Sequence, residues 1–188
     1  MKWNEGMIAR ALCTQFLQRK CIVLVPNTTW AGNEADVLGV TMDLRLIDIE
    51  IKISRSDLKA DAGKMKWWRS EQYLWGDTHG PARPRMPREW PRKVWKHYYA
   101  LPADLWKPEL LACLPTPRSG VLLLKQGRGF DSVGNPLLDV HCERRSQPCK
   151  DADKLTAEQA LDVARLANLR MWDAYGRLHK REPAEVEP

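Results

Sequence analysis

Leu46-Ile47-Asp48-Ile49-Glu50-Ile51-Lys52-Ile53-Ser54 alternates without a break, with isoleucine at 47, 49, 51 and 53 and a polar or charged residue at 48, 50, 52 and 54. Successive side chains on a strand point to opposite faces, so this stretch predicts a β-strand with one wholly aliphatic face. Its other face carries Glu50 and Lys52 side by side, about 7 Å apart along the strand. Upstream, ADVLGV (35–40) reads as a second strand, with Met42 and Asp43 as the turn between the two. Pairing as a hairpin would bring Asp36 towards Glu50.

Two carboxylates and a neighbouring backbone carbonyl, here that of Ile51, make a hard oxygen ligand set for Mg²⁺ or Mn²⁺. Such an ion polarises a scissile phosphate and lowers the pKa of a bound water. Lys52 beside it could orient or deprotonate that water and offset charge on the phosphorane. Asp36, Glu50 and Lys52 are therefore the candidate catalytic residues, and Asp36, Glu50 and the Ile51 carbonyl the candidate metal ligands. The plainer alternative is a solvated strand face with cross-strand ion pairs.

Working outward, residues 4–20 read as a helix capped by Asn4, with Ile8, Leu12 and Phe16 on one stripe. CIVLVP (21–26) is a short strand. Ser56 reads as the cap of a helix running through DLKADAGKMKWW. Residues 76–97 hold four prolines, six basic residues and two tryptophans, which predicts an extended loop. HYYALP (97–102), VLLLK (121–125) and LLDVH (137–141) read as strands. Thr156 and Gln159 form a capping box before a last helix, on which Leu161, Ala164, Met171, Tyr175 and Leu178 share one face.

The order predicts an α/β or α+β domain with a mixed sheet flanked by helices. Residues 1–142 are expected to form its body, with an insertion at about 76–97. Residues 143–180 are expected to be a linker and helix packed on that body, and 181–188 a flexible tail.

With 188 residues, 44% of them hydrophobic, the chain has material for one packed core, and it lacks an apolar run long enough for a membrane span. Five scattered cysteines without a CxxC pair argue against a disulfide framework or a zinc ribbon. These features point to a cytoplasmic protein. The net charge of +6 is uneven: residues 52–98 carry twelve Lys or Arg against five acids. A basic middle suits a polyanionic partner, because Lys and Arg release counterions from phosphates.

The string EADVLGV (34–40), then LIDIEIKISRSDLKAD (46–61) and Lys64, resembles the PD-(D/E)xK nuclease superfamily and, within it, the MmcB-like DNA repair proteins. Asp36 matches the motif aspartate, Glu50 the glutamate and Lys52 the lysine. Ser54, Arg55, Asp57, Asp61 and Lys64 fall on the pattern that continues from the motif in that branch. HYYALPADLW (97–106) and SGVLLLK (119–125) resemble its next strands. Ala35 stands where the superfamily often has proline, and the segment 76–95 and the residues after about 142 have no counterpart.

The resemblance implies a restriction-endonuclease-like core of about four central strands, Mg²⁺ or Mn²⁺ dependence, and hydrolysis of DNA, branched or single-stranded substrates included. It also implies a glutamate on the first helix, here Glu5. Glu34 and Asp48 are further acids near the same face. Arg55, Lys59, Lys64 and Lys66 would approach the nucleic-acid backbone, as would Arg83, Arg85, Arg88 and Arg92 of the insertion. The tryptophans between these basic residues could stack on unpaired bases. A descendant that binds nucleic acid or protein without cutting is the alternative, and a homodimer is compatible with either reading.

Overall fold

The computed structural model describes residues 3–69, 86–87, 93–131 and 134–179. Helix α1 (Glu5–Ala11) starts where the Asn4 side chain accepts a hydrogen bond from Gly6 N. It does not continue as an α-helix to residue 20 but widens into a π-helical turn over Leu12–Leu17. Thr14 Oγ1 bonds back to the Arg10 carbonyl in this stretch, a contact that competes with the regular ladder.

Three strands follow, β1 (Cys21–Thr28), β2 (Ala35–Thr41) and β3 (Leu46–Ile51), each antiparallel to the one before. Helix α2 (Arg55–Asp61) is capped by Ser54, whose hydroxyl accepts from Asp57 N, rather than by the expected Ser56. It ends at Asp61, well short of the expected length, and a 3₁₀ turn covers Met65–Trp67. β4 (Trp68–Arg69) and β5 (Met86–Pro87) make a small separate ladder. β6 (Val94–Pro102) and β7 (Gly120–Phe130) then pair in parallel with β3 and β6 respectively, and β8 (Pro136–Arg144) closes the sheet antiparallel to β7. The last helix is α3 (Ala157–His179), and its Thr156–Gln159 capping box is formed in both directions.

The sheet order is β1-β2-β3-β6-β7-β8. A mixed sheet flanked by helices is thus present, with six strands in place of the expected four or so. The difference lies at the ends, where β1 and β8 form the two edges outside β2, β3, β6 and β7. Both edges are adapted to that position. β1 carries Pro26, which an edge strand accommodates because its missing N–H has no partner to lose. On β8 the Gln15 side chain donates to the Leu138 carbonyl and accepts from Val140 N, occupying part of the open edge.

Alternation along the central strands separates two faces. Ile47, Ile49 and Ile51 meet Ile8, Leu12, Leu17, Tyr98, Ala100, Leu122 and Leu124 under α1. Burying each such side chain contributes about 1.5–3 kcal/mol, so this aliphatic row anchors the first helix. On the opposite face Leu38, Val40 and Leu46 pack with Ala160 and Val163 of α3, while Tyr99, Leu101 and Leu123 pack with Leu58 and Trp67. Between those two apolar clusters the same face carries the charged residues of β3.

Gly120 is required where β7 begins. A Cβ there would lie 2.3 Å from Tyr98 Cδ1 and 2.7 Å from the backbone nitrogen of Ser146. The second of these is backbone and cannot swing aside. Gly120→Ala is expected to lower stability by about 1–3 kcal/mol in urea denaturation, the usual cost of overpacking, with the fold retained by circular dichroism. A change below about 0.5 kcal/mol would show that this corner has slack.

Candidate functional site

Asp48 and Glu50 share the β3 face opposite the isoleucines. The β2–β3 register pairs Val37 with Ile49 and Leu38 with Asp48, so its next step sets Asp36 across from Glu50. The Asp36 carboxylate accepts a 2.6 Å hydrogen bond from Ile51 N. Burial raises the Asp36 pKa, opposed by that bond and helped by the nearby Glu50 charge. Glu5, exposed at the start of α1, adds a weaker push in the same direction.

Lys52 follows the end of β3 and is buried, its N–H held by the Ala100 carbonyl at 2.9 Å. Its ammonium lies 3.0 Å from Glu50 Oε2 and 3.0 Å from Asp61 Oδ1. Asp57 stands 4.0 Å away, on the outer side. Burial works against the charge on Lys52, but Glu50 and Asp61 outweigh it and hold the pKa above the ordinary lysine value. With these partners Lys52 stays protonated. It suits the stabilisation of negative charge, not the base role that a depressed pKa would have allowed.

Two further lysines complete the cluster. Lys66 donates to Glu50 Oε1, and Lys64 reaches Asp61 Oδ1 at 3.0 Å and Glu50 Oε2 at 3.5 Å. Asp61, wholly buried at the end of α2, also accepts from Tyr99 Oη at 2.6 Å and Trp67 Nε1 at 3.0 Å. Burial opposes ionisation of both carboxylates. Lys66 and Lys52 outweigh it at Glu50; at Asp61 Lys66, the Tyr99 hydroxyl and Lys52 do so, and both pKa values are lowered. Breaking a buried pair of this kind costs about 3–5 kcal/mol, against 0–1 for an exposed one, so the short α2 is tied to β3 mainly here.

The expected nucleic-acid ligands divide accordingly. Lys66 is buried on Glu50 and Lys64 is half-engaged, so neither is a free surface cation. Arg55 donates to the carbonyls of Leu105 and Asp104, at 2.7 and 3.2 Å. Lys59 is exposed on α2 and Glu34 is exposed ahead of β2. Arg83, Arg85, Arg88 and Arg92 lie outside the described residues, as does most of the expected 76–97 loop.

Three residues that sequence reasoning did not place in the site stand beside it: Asp61, Tyr99 and His97. Asp61 was visible only as one position in a longer pattern. His97 lies in the strand read as HYYALP, where nothing local marks it. Side-chain ligand atoms of Asp48, Glu50 and His97 fall within 4.8 Å of one another, a spacing that could hold a metal ion. His97 Nδ1 lies 2.9 Å from Ser119 Oγ, and burial, seconded by Lys66, pushes its pKa down to about 3. Asp48 Oδ1 is buried without a hydrogen-bond partner, and burial pushes that carboxyl up to about 7. The Lys66 ammonium bonded to Glu50 already supplies this trio with a cation. All five cysteines are free thiols. Among the described residues no helix is long and apolar enough to cross a membrane.

No protein-family model matches the chain, and no curated protein matches it. Among solved structures it is similar to the SPO1766 protein of unknown function from Silicibacter pomeroyi, with 18% identity and a TM-score of 0.54 over 100% of both chains. At that identity the likeness concerns the fold alone.

An acid whose folded pKa is raised keeps its proton better when folded, so its contribution is intact below the unfolded value and is lost as pH rises towards the folded one. For Asp48 that window runs from the ordinary 3.8 to about 7. Asp48→Asn should therefore stabilise the protein more at alkaline than at acid pH. In urea denaturation with EDTA, the gain should grow by about 2 kcal/mol between pH 5.5 and pH 8. A difference independent of pH would mean that Asp48 does not titrate there.

Proposed function

We propose that this protein is a metal-dependent phosphodiesterase acting on DNA, with Asp36, Glu50 and Lys52 as its reactive corner. The observation that carries the reading is the register: one step past the Val37–Ile49 pair sets Asp36 across from Glu50, and Lys52, just beyond the strand, brings its ammonium 3.0 Å from Glu50. The order of helix, three antiparallel strands, helix and parallel strand is also the arrangement in which the resemblance to PD-(D/E)xK nucleases would place that motif.

The donor set suits a hard divalent cation. Burial raises the Asp36 pKa and repulsion from Glu50 adds to it, and a cation between the two carboxylates would relieve that repulsion. Mg²⁺ or Mn²⁺ would be held by Asp36, Glu50 and the Ile51 carbonyl, and Lys66 would give up its bond to Glu50 on binding. Such an ion, when bound, polarises the phosphate and activates water. Lys52, kept cationic by Asp61, contributes positive charge beside the developing phosphorane. Lys64, half-exposed at the rim, would screen the next phosphate.

A second reading is favoured by one specific observation. Both Glu50 oxygens are already occupied by lysine ammonium groups, as in a charge cluster whose purpose is structural. A module that binds nucleic acid without cutting would keep that arrangement.

Nicking of supercoiled plasmid and cleavage of labelled single-stranded and forked DNA, with Mg²⁺ or Mn²⁺, separate the two. Metal-dependent cleavage by the wild type should fall about 10²–10³-fold in Asp36→Asn and in Lys52→Ala, with folding checked by circular dichroism. Binding without cleavage by all three proteins would assign the silent module, and neither binding nor cleavage would overturn the nucleic-acid reading.

A further inference from the structure

Helix α3 packs on the sheet with its first half, and from Asn168 to Leu178 every residue is exposed. Ala160 and Val163, with Leu166 and Ala167, lie against Val25, Leu38 and Val40 of the sheet. Of the residues that the sequence places on one face of this helix, only Ala164 is half-buried. Leu161, Met171, Trp172, Tyr175 and Leu178 are 54–69% exposed. Trp172 and Tyr175 form an edge-to-face pair in this exposed stripe, with ring centroids 6.0 Å apart.

The spacing of the exposed stripe is informative. Leu161, Ala164, Asn168, Met171, Tyr175 and Leu178 follow one another by alternating steps of three and four. That is a repeat of about 3.5 residues, the period at which one helix meets another of the same repeat, knobs into holes. A second α3 has the matching repeat by construction. Asn168 stands near the middle of the stripe at a seam position. A lone asparagine there costs stability, but it fixes register and pair number when the facing helix offers an equivalent asparagine, as an identical chain in a parallel pair does.

We propose that α3 pairs through this stripe with α3 of a second copy of the chain, giving a two-fold parallel homodimer. The area suffices for a modest interface. The exposed side chains, Trp172 and Tyr175 largest among them, offer about 600 Å² per copy, near the lower end of specific interfaces. The aromatic pair provides the kind of anchor on which binding energy concentrates. The pairing uses a different part of the molecule from the charged corner of β3 and stands independently of the proposed activity.

Sedimentation velocity on the full chain tests it. At about 10 µM the wild type should sediment at twice the mass of one chain, and Met171→Glu/Leu178→Glu should return it to a single chain, a loss of affinity of at least about 100-fold. Both substituted residues are exposed, so the far-UV circular dichroism should not change. Phe130→Glu, which alters an exposed apolar residue away from α3, should leave the dimer intact. Asn168→Leu should change the assembly, to a tighter dimer or a higher oligomer. A wild type that stays single up to about 100 µM overturns the proposal and leaves the stripe to another occupant. Retention of the dimer in the double variant, its loss in Phe130→Glu, or an unchanged assembly in Asn168→Leu would place the contact elsewhere and overturn it equally.

Discussion

A central strand covered on both faces must have every charge on it answered from neighbouring elements, because water cannot do so. β3 is such a strand. Its isoleucines lie under α1, while Asp48, Glu50 and Lys52 are buried on the other side. The answer to Glu50 comes from Lys52, Lys64 and Lys66, and the answer to Lys52 comes from Glu50 and from Asp61 at the end of α2. Tyr99 and Trp67 fix the orientation of Asp61 by hydrogen bonds from β6 and the 3₁₀ turn. This requirement accounts for much of the local architecture. α2 stops at Asp61 and the chain turns back so that Lys64 and Lys66 can reach inward.

The same neutralisation shapes what the corner can do chemically. A lysine held between two carboxylates keeps its proton, so Lys52 acts as a fixed positive charge. Asp36 sits outside the lysine cage, tied to one backbone N–H, with a carboxyl less willing to ionise than an ordinary aspartate. Asp48 and His97 lie deeper and are shifted in opposite directions, each towards its neutral form. In the proposed phosphodiesterase, the ionised Glu50 and the reluctant Asp36 form a pair whose repulsion a divalent cation would relieve, and Asp61 maintains the charge on Lys52. In the alternative reading the cage is an end in itself.

Much of this was legible in the chain because alternation and capping are local signals. The strand at Leu46–Ile51 followed from the unbroken alternation of isoleucine with polar residues, and the β2–β3 hairpin from two adjacent strand patterns. Asn4 and the Thr156–Gln159 box capped the helices they were expected to cap. Other local signals were ambiguous. Ser54 and Ser56 are both competent caps, and Ser54 holds the position because the strand has already ended at Ile51. The helix beyond Asp61 gave way because burying Lys66 on Glu50 outweighs a few tenths of a kcal/mol per residue of helix propensity.

The sequence by itself determined which residues alternate, which cap and which repeat, since those properties depend on neighbours along the chain. It offered Asp36, Glu50 and Lys52 as a candidate set and marked an apolar stripe on the last helix. Only the tertiary structure decided what those features face. It buried the polar side of β3 as well as the aliphatic one, brought Asp61, Tyr99 and His97 to the corner from other elements, and drew Lys66 inward from an expected surface. It also packed Ala160 and Val163 of α3 on the sheet and left Leu161, Met171, Tyr175 and Leu178 exposed. The physical reason is that periodicity specifies a face of an element, while the surface that covers it is supplied by residues distant in sequence.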